Sequence, residues 1–187
     1  MERAAASAGR FDSLADLARE QSDLGWFAAV GEPLTAAEKA EAIDYALALG
    51  FDRIVVAAVA DWRAAEHVVR GTGFDAWWNA ENILRLRMLE TATAAHGHHA
   101  VMTALTRVTE SATAAVFGAA SAAAARHGVA DAALARVAAG AATEASYHWG
   151  LARIAGADGG HAFAAKYRLF AAGRWPLGIA GGMLHLF

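Results

Sequence analysis

Glu144 and His148 stand four residues apart in a stretch where Val137, Ala141, Leu151 and Ala155 recur at helical spacing. Side chains four apart on a helix stack on successive turns. A carboxylate and an imidazole so placed can serve as a general base and its orienting partner, or supply two ligands to a divalent metal. Glu144 and His148 are therefore the expected catalytic pair if the protein is an enzyme. The plainer reading is a Glu–His hydrogen bond on a half-buried face, and such pairs are the commoner outcome.

Two further carboxylates fall inside apolar stripes. Glu81 shares a helical face with Phe74, Trp77, Leu84 and Met88, and Arg85 follows one turn later in the order that favours an ion pair along a helix. Asp61 shares a stripe with Ile54, Ala58, Ala65 and Val68, which predicts an interior carboxylate. A buried carboxylate is costly unless a cation, a hydrogen-bond donor or a metal meets it. Asp61, Glu81, Glu144 and His148 are thus the candidate metal ligands, with a divalent cation as the expected cofactor. Asp61, Glu81 and Arg85, walled by Trp77 and Trp149, are the candidate contacts to a small molecule. Six tryptophans are many for this length; large aromatics wall ligand cavities, and they also fill cores that alanine leaves open.

Other polar groupings point to the surface. His99, Thr103, Thr106, Glu110 and Thr113 form a stripe opposite Val101, Leu105, Val108, Ala112 and Val116, as on the solvent face of an amphipathic helix. His96, His98 and His99 surround a glycine at a helix junction. The Glu-x-x-His pair of di-metal helical proteins is absent, as are a His-Glu-x-x-His helix, a Gly-x-Ser-x-Gly elbow and the glycine-rich phosphate loops.

The elements that must position these residues are helical. Alanine, the best helix former, is far above ordinary usage, and Pro33 and Pro176 are the only prolines. A first helix is expected from Ser13 to about Val30, either continuous or broken at Gly25. Thr35 and Glu38 form a capping box for a second, which runs to Leu49 and stops at Gly50. Asp52 opens a third, to about Val69; Asp75 a fourth, to about His96; and His98 a fifth, to Arg126. Asp131 caps a sixth, to about Ala155, and a seventh runs from Asp158 or Gly159 to Gly173. Trp175–Ala180 and Met183–Phe187 flank Gly181-Gly182 as two short apolar runs, the pattern of a β-hairpin or an extended tail. The expectation is an all-α, single-domain bundle of about seven mostly antiparallel helices over 1–187, with residues 1–10 disordered and residues 174–187 a hairpin-like tail.

Composition limits the function. A length of 187 residues suffices for one core without staples. No cysteine is present, which excludes disulfides, thiolate metal sites and cysteine nucleophiles. Hydrophobic residues make up 57% and charged residues 19%, which excludes general disorder. The net charge is -3 and the basic residues are scattered, which argues against nucleic acid. The longest apolar stretch, Ser111–Ala125, is bounded by Glu110 and Arg126 and falls short of the about 20 residues a membrane span needs. No secretory signal is visible, so a cytoplasmic location is expected. The residues point to a helical protein that holds a small ligand or metal between its helices. The alternative is a structural module that self-associates, as a homodimer, through alanine-rich faces and the apolar tail.

Overall fold

A computed structural model of the chain describes residues 11, 13–129 and 132–187. The protein is mostly helical, with a small three-stranded sheet formed largely by the C-terminal segment.

Helix α1 covers residues 13–20 and passes into a 3-10 turn, Gln21–Asp23. The first helix therefore stops well short of Val30. Phe27 takes a positive φ of 58°, which a helix does not accommodate. Trp26, Phe27 and Val30 are buried in this irregular segment, and the Trp26 indole donates to the Gln21 carbonyl at 2.7 Å. Gly173 closes against it: the Ala29 N–H donates to the Gly173 carbonyl, and a Cβ on Gly173 would lie 2.7 Å from the Ala29 nitrogen. Only glycine permits that approach.

Helix α2, Ala36–Ala48, begins with the expected capping box: Thr35 accepts from the Glu38 N–H while the Glu38 carboxylate accepts from the Thr35 N–H. The segment beyond Gly50 departs from expectation. Strand β1, Val55–Ala58, precedes a short helix α3, Trp62–Val69, where one helix from Asp52 was predicted. The β-branched run Ile54, Val55, Val56 and Val59 favours an extended chain, and a partner strand is available. Strand β3, Met183–Leu186, pairs parallel with β1, from Val55 opposite Met183 to Ala58 opposite Leu186. On its other edge it pairs antiparallel with β2, Pro176–Ala180. The hairpin is thus present around Gly181-Gly182, and β1 supplies the third strand without which a hairpin is marginal in water.

This rearrangement moves Asp61. It is not an interior carboxylate but the exposed N-cap of α3, its Oδ1 accepting from the Ala64 N–H at 2.8 Å. The stripe that placed it inward assumed a helix where the chain is a strand.

Helices α4, Asp75–His96, and α5, His98–Arg126, meet at Gly97, which takes a φ of 80°. Helices α6, Ala132–Ala155, and α7, Ala162–Ala171, complete the set. The expected cap at Asp131 and residues 1–10 lie outside the described residues. Helix α7 starts later than expected, with His161 as its cap: the imidazole Nδ1 accepts from the Phe163 N–H at 3.2 Å. Val101, Leu105, Val108 and Val116 of α5 share a core with Ala138, Ala142 and Ala145 of α6. The polar stripe of α5 faces water, as expected. A second core joins Ala42 and Tyr45 of α2, Leu169 of α7, Phe74, Trp77 and the sheet. Among the described residues no helix is long and apolar enough to cross a membrane.

Candidate functional site

Helices α2, α4, α6 and α7 bring polar side chains together on the inner faces of α4 and α6. Glu81 of α4 is only 5% exposed and meets Lys166 of α7, which is 2% exposed. The Lys166 ammonium donates to Glu81 Oε1 at 2.7 Å and to Oε2 at 2.9 Å. The Tyr45 hydroxyl of α2 donates to Oε1 at 2.6 Å and accepts in turn from the Trp77 indole N–H. The ammonium also lies over the Trp77 ring, 5.1 Å from its centroid, a cation–π contact. Burial, reinforced by the Glu81 charge and its hydrogen bond, raises the Tyr45 hydroxyl well above its ordinary pKa and keeps it a donor. The pair is therefore charge-balanced and its oxygens are engaged.

That arrangement corrects two expectations. Glu81 does not pair with Arg85, whose guanidinium donates to Asn82 Oδ1 at 2.7 Å instead. Glu81 faces inward, where Lys166 meets it, while Arg85, one turn on, is half-buried. Nor do Asp61, Glu81, Glu144 and His148 form a metal centre. Asp61 caps α3, Glu81 is neutralised by Lys166, and among the described residues no three His, Asp or Glu side chains are gathered to hold a cation.

Trp77 is held from the opposite side by the sheet. Gly178 of β2 takes a φ of 131°, and a Cβ there would lie 2.6 Å from the Trp77 ring. The glycine lets the strand press flat on the indole that completes the Tyr45–Glu81 network.

Beside this network lies a half-open cleft of about 230 Å³. Trp77 and Trp78 form one wall, and Glu81, Arg85, Glu144 and His148 also line it. An apolar recess of about 250 Å³ adjoins it, sharing Trp77, Trp78 and Glu144 and reaching Phe74, Leu177 and Lys166. The residues singled out on α4 and α6 thus converge: Trp77, Glu81 and Arg85 face Glu144 and His148. Trp149 does not join them. It is half-buried elsewhere on α6, with the Arg153 guanidinium 5.7 Å from its ring centroid.

His148 is the unusual member. It is 2% exposed, and its ring stacks on Phe163 with centroids 4.4 Å apart. Among the described residues neither ring nitrogen has a hydrogen-bond partner. Nε2 lies 3.9 Å from Glu144 Oε1, beyond hydrogen-bond range. Burial, with the positive charges of Lys166 and Arg85, pushes its pKa down to about 2, so the ring is neutral. An unmet buried polar atom costs about 1–3 kcal/mol. Other such atoms, Trp62 Nε1 among them, lie away from this cleft.

A larger groove carries less chemistry. It measures about 520 Å³ and runs between α1 and α5, lined by Leu14, Ala15, Ala18 and Ala104, and its arginines and His99 are exposed. The residues that periodicity missed are Tyr45, Asn82 and Lys166. Lys166 carried a signal: it is one of only two lysines, and it shares an apolar face with Phe163, Tyr167 and Phe170. No family model, curated protein or solved structure matches this chain. The site rests on its own geometry.

Proposed function

We propose that this protein binds a small organic molecule in the cleft between α4 and α6, within a bundle of mostly antiparallel helices. The observation that carries the reading is His148: a buried, neutral imidazole on a residue that lines an opening, with neither nitrogen partnered among the described residues. A ligand that hydrogen-bonds it removes a standing cost. The Glu81–Lys166–Tyr45 network supports the reading as a rigid, charge-balanced base, and Trp78, 55% exposed, offers an aromatic face at the mouth. The cleft and its recess are each smaller than the about 300–1,000 Å³ of sites for drug-sized ligands, so the ligand is a small one.

Binding is favoured over acid–base catalysis. A base whose conjugate acid has a pKa near 2 takes up protons poorly at neutral pH. Self-association through the tail finds less support, because Trp175, Leu177, Leu184, Leu186 and Phe187 are buried in their own chain.

A thermal-shift screen of small metabolites and divalent metals tests the proposal. Saturable stabilisation by an organic compound, lost in Trp78→Ala and reduced in His148→Gln, is the expected result. Stabilisation that both variants retain, or that metal ions alone produce, would overturn it.

A further inference from the structure

The chemistry of the ligand follows from the unmet imidazole and the charged groups that line the cleft, and this step rests on the cleft being a ligand site. His148 Nε2 and Glu144 Oε1 face each other at 3.9 Å. That gap is too wide for a direct hydrogen bond, yet one donor atom between them can reach both. The carboxylate only accepts, and a neutral imidazole offers one accepting nitrogen. Two acceptors at one gap call for a donor with at least two hydrogens, and the Glu144 charge favours an ammonium group. Arg85 presents the opposite chemistry. Only Asn82 engages its guanidinium, and it forms no ion pair among the described residues. Its planar fork suits a carboxylate. Glu81 and Lys166 cancel each other, so the cleft offers one net anion and one net cation. The adjoining recess is apolar and aromatic.

We infer that the cleft takes a small zwitterion: its ammonium between Glu144 and His148, its carboxylate at Arg85, and an apolar side group against Trp77 and Trp78. This is the chemistry of a free apolar α-amino acid.

Isothermal titration of the full chain with L-phenylalanine, L-leucine and L-tryptophan tests the inference, with the His148 ring resonances followed by NMR. The comparison ligands are L-phenylalaninamide, which lacks the carboxylate, and N-acetyl-L-phenylalanine, which lacks the ammonium. At least one free amino acid should bind saturably and shift the His148 resonances. Each comparison ligand should bind about tenfold more weakly or worse. Glu144→Gln, on an exposed side chain, should weaken the amino acid about tenfold and leave the acetylated form unaffected. The inference fails if no free amino acid moves His148 at millimolar concentration, or if a singly charged analogue binds equally well. Should another metabolite bind in a His148-dependent manner while all three amino acids fail, the cleft remains a ligand site and only the zwitterion is wrong. If no compound perturbs His148, both readings fall.

Discussion

Among the described residues two ion pairs hold a buried cation, Lys166 with Glu81 and Arg174 with Glu38, and they differ in what surrounds them. Arg174, 2% exposed, donates to Glu38 Oε1 at 2.7 Å and Oε2 at 3.1 Å, to the carbonyls of Glu32 and Pro33 at 2.7 and 2.8 Å, and to the Ala29 carbonyl. All its N–H groups are therefore used. Glu38 also accepts from the Thr35 N–H and hydroxyl. This cluster locks the irregular segment before α2 to the end of α7 and leaves nothing for a ligand. The Glu81–Lys166 pair is as well satisfied, but beside it the His148 nitrogens are unmet among the described residues, and Glu144 and Arg85 carry charges that no close ion pair balances there. A saturated polar network is architecture; a saturated network flanked by an unmet imidazole at an opening is what the proposed binding site rests on.

Replacement of one partner should hurt both clusters alike. Lys166→Met strands a buried carboxylate and Arg174→Met strands Glu38, so each should cost about 3–5 kcal/mol in chemical denaturation. The double variants should then separate the clusters. Glu81→Leu with Lys166→Met should recover most of the loss, because an apolar pair can replace a buried ion pair at little cost. Glu38→Leu with Arg174→Met should recover little. The carbonyls of Ala29, Glu32 and Pro33 would still lack donors, at about 1–3 kcal/mol each where buried. Equal rescue in the two doubles would erase the distinction.

Acid should reach the cleft before it reaches the clamp. His148 has an ordinary pKa of 6.5, and burial with the Lys166 and Arg85 charges holds it at about 2 when folded. Between those values the unfolded chain binds a proton that the folded chain refuses. The stability this withholds is intact above pH 6.5 and is lost as pH falls toward 2, at up to about 1.4 kcal/mol per pH unit. From pH 6.5 to 5 the loss should approach about 2 kcal/mol. At Glu38, burial raises the carboxyl, but the bonds from Arg174 and Thr35 outweigh it and hold the pKa below 4.5. That contribution is present above pH 4.5 and disappears only below it. Burial also lowers His161 and His185, so the diagnostic is a difference. His148→Gln should flatten the wild-type loss between pH 6.5 and 5, whereas Glu38→Gln should leave it unchanged.

The two clusters were also unequally legible. Spacing along α4 and α6 points Trp77, Glu81 and His148 inward, and all three are buried, because a 3.6-residue period survives in sequence. The same spacing puts Glu144 on an apolar stripe, yet its side chain is 57% exposed, and it pairs Arg85 with Glu81, which Lys166 takes instead. Which faces meet is a long-range fact that periodicity does not carry. Lys166 escaped because a lone lysine on an amphipathic helix normally extends its head to water. Arg174 escaped because its partners are mostly backbone carbonyls, which no side-chain pattern marks. The capping box of Thr35 and Glu38 was visible, but its link to Arg174 was not. Strand β1 reads as helix in the sequence because a short apolar run carries no distinguishing period, and its partner β3 lies at the far end of the chain.

Asp61 offers a smaller test of the same boundary. As the N-cap of α3 it should cost about 1 kcal/mol on replacement by alanine and little on replacement by asparagine, which also caps. Ligand-induced stabilisation in the cleft should be unchanged in both variants. A cleft that weakened with Asp61→Ala would return this residue to the site.

The smallest expected effect on stability is at Glu144, and it separates the two regions most cleanly. Glu144 and Glu38 each lie beside a buried nitrogen-bearing side chain, His148 and Arg174, yet the Glu144 side chain is 57% exposed and that of Glu38 is 13% exposed. Glu144 reaches His148 only across 3.9 Å, whereas Glu38 receives four hydrogen bonds. Glu144→Gln should therefore change the unfolding free energy by no more than about 0.5 kcal/mol. Glu38→Gln should cost about 1–3 kcal/mol, because it removes the charge that faces Arg174 and replaces one acceptor with a donor. A large loss at Glu144 would mean that its carboxylate holds α4 and α6 together. Its place in the cleft would then be structural, like that of Glu38 in the clamp, and the contrast between the two regions would reduce to one of exposure alone.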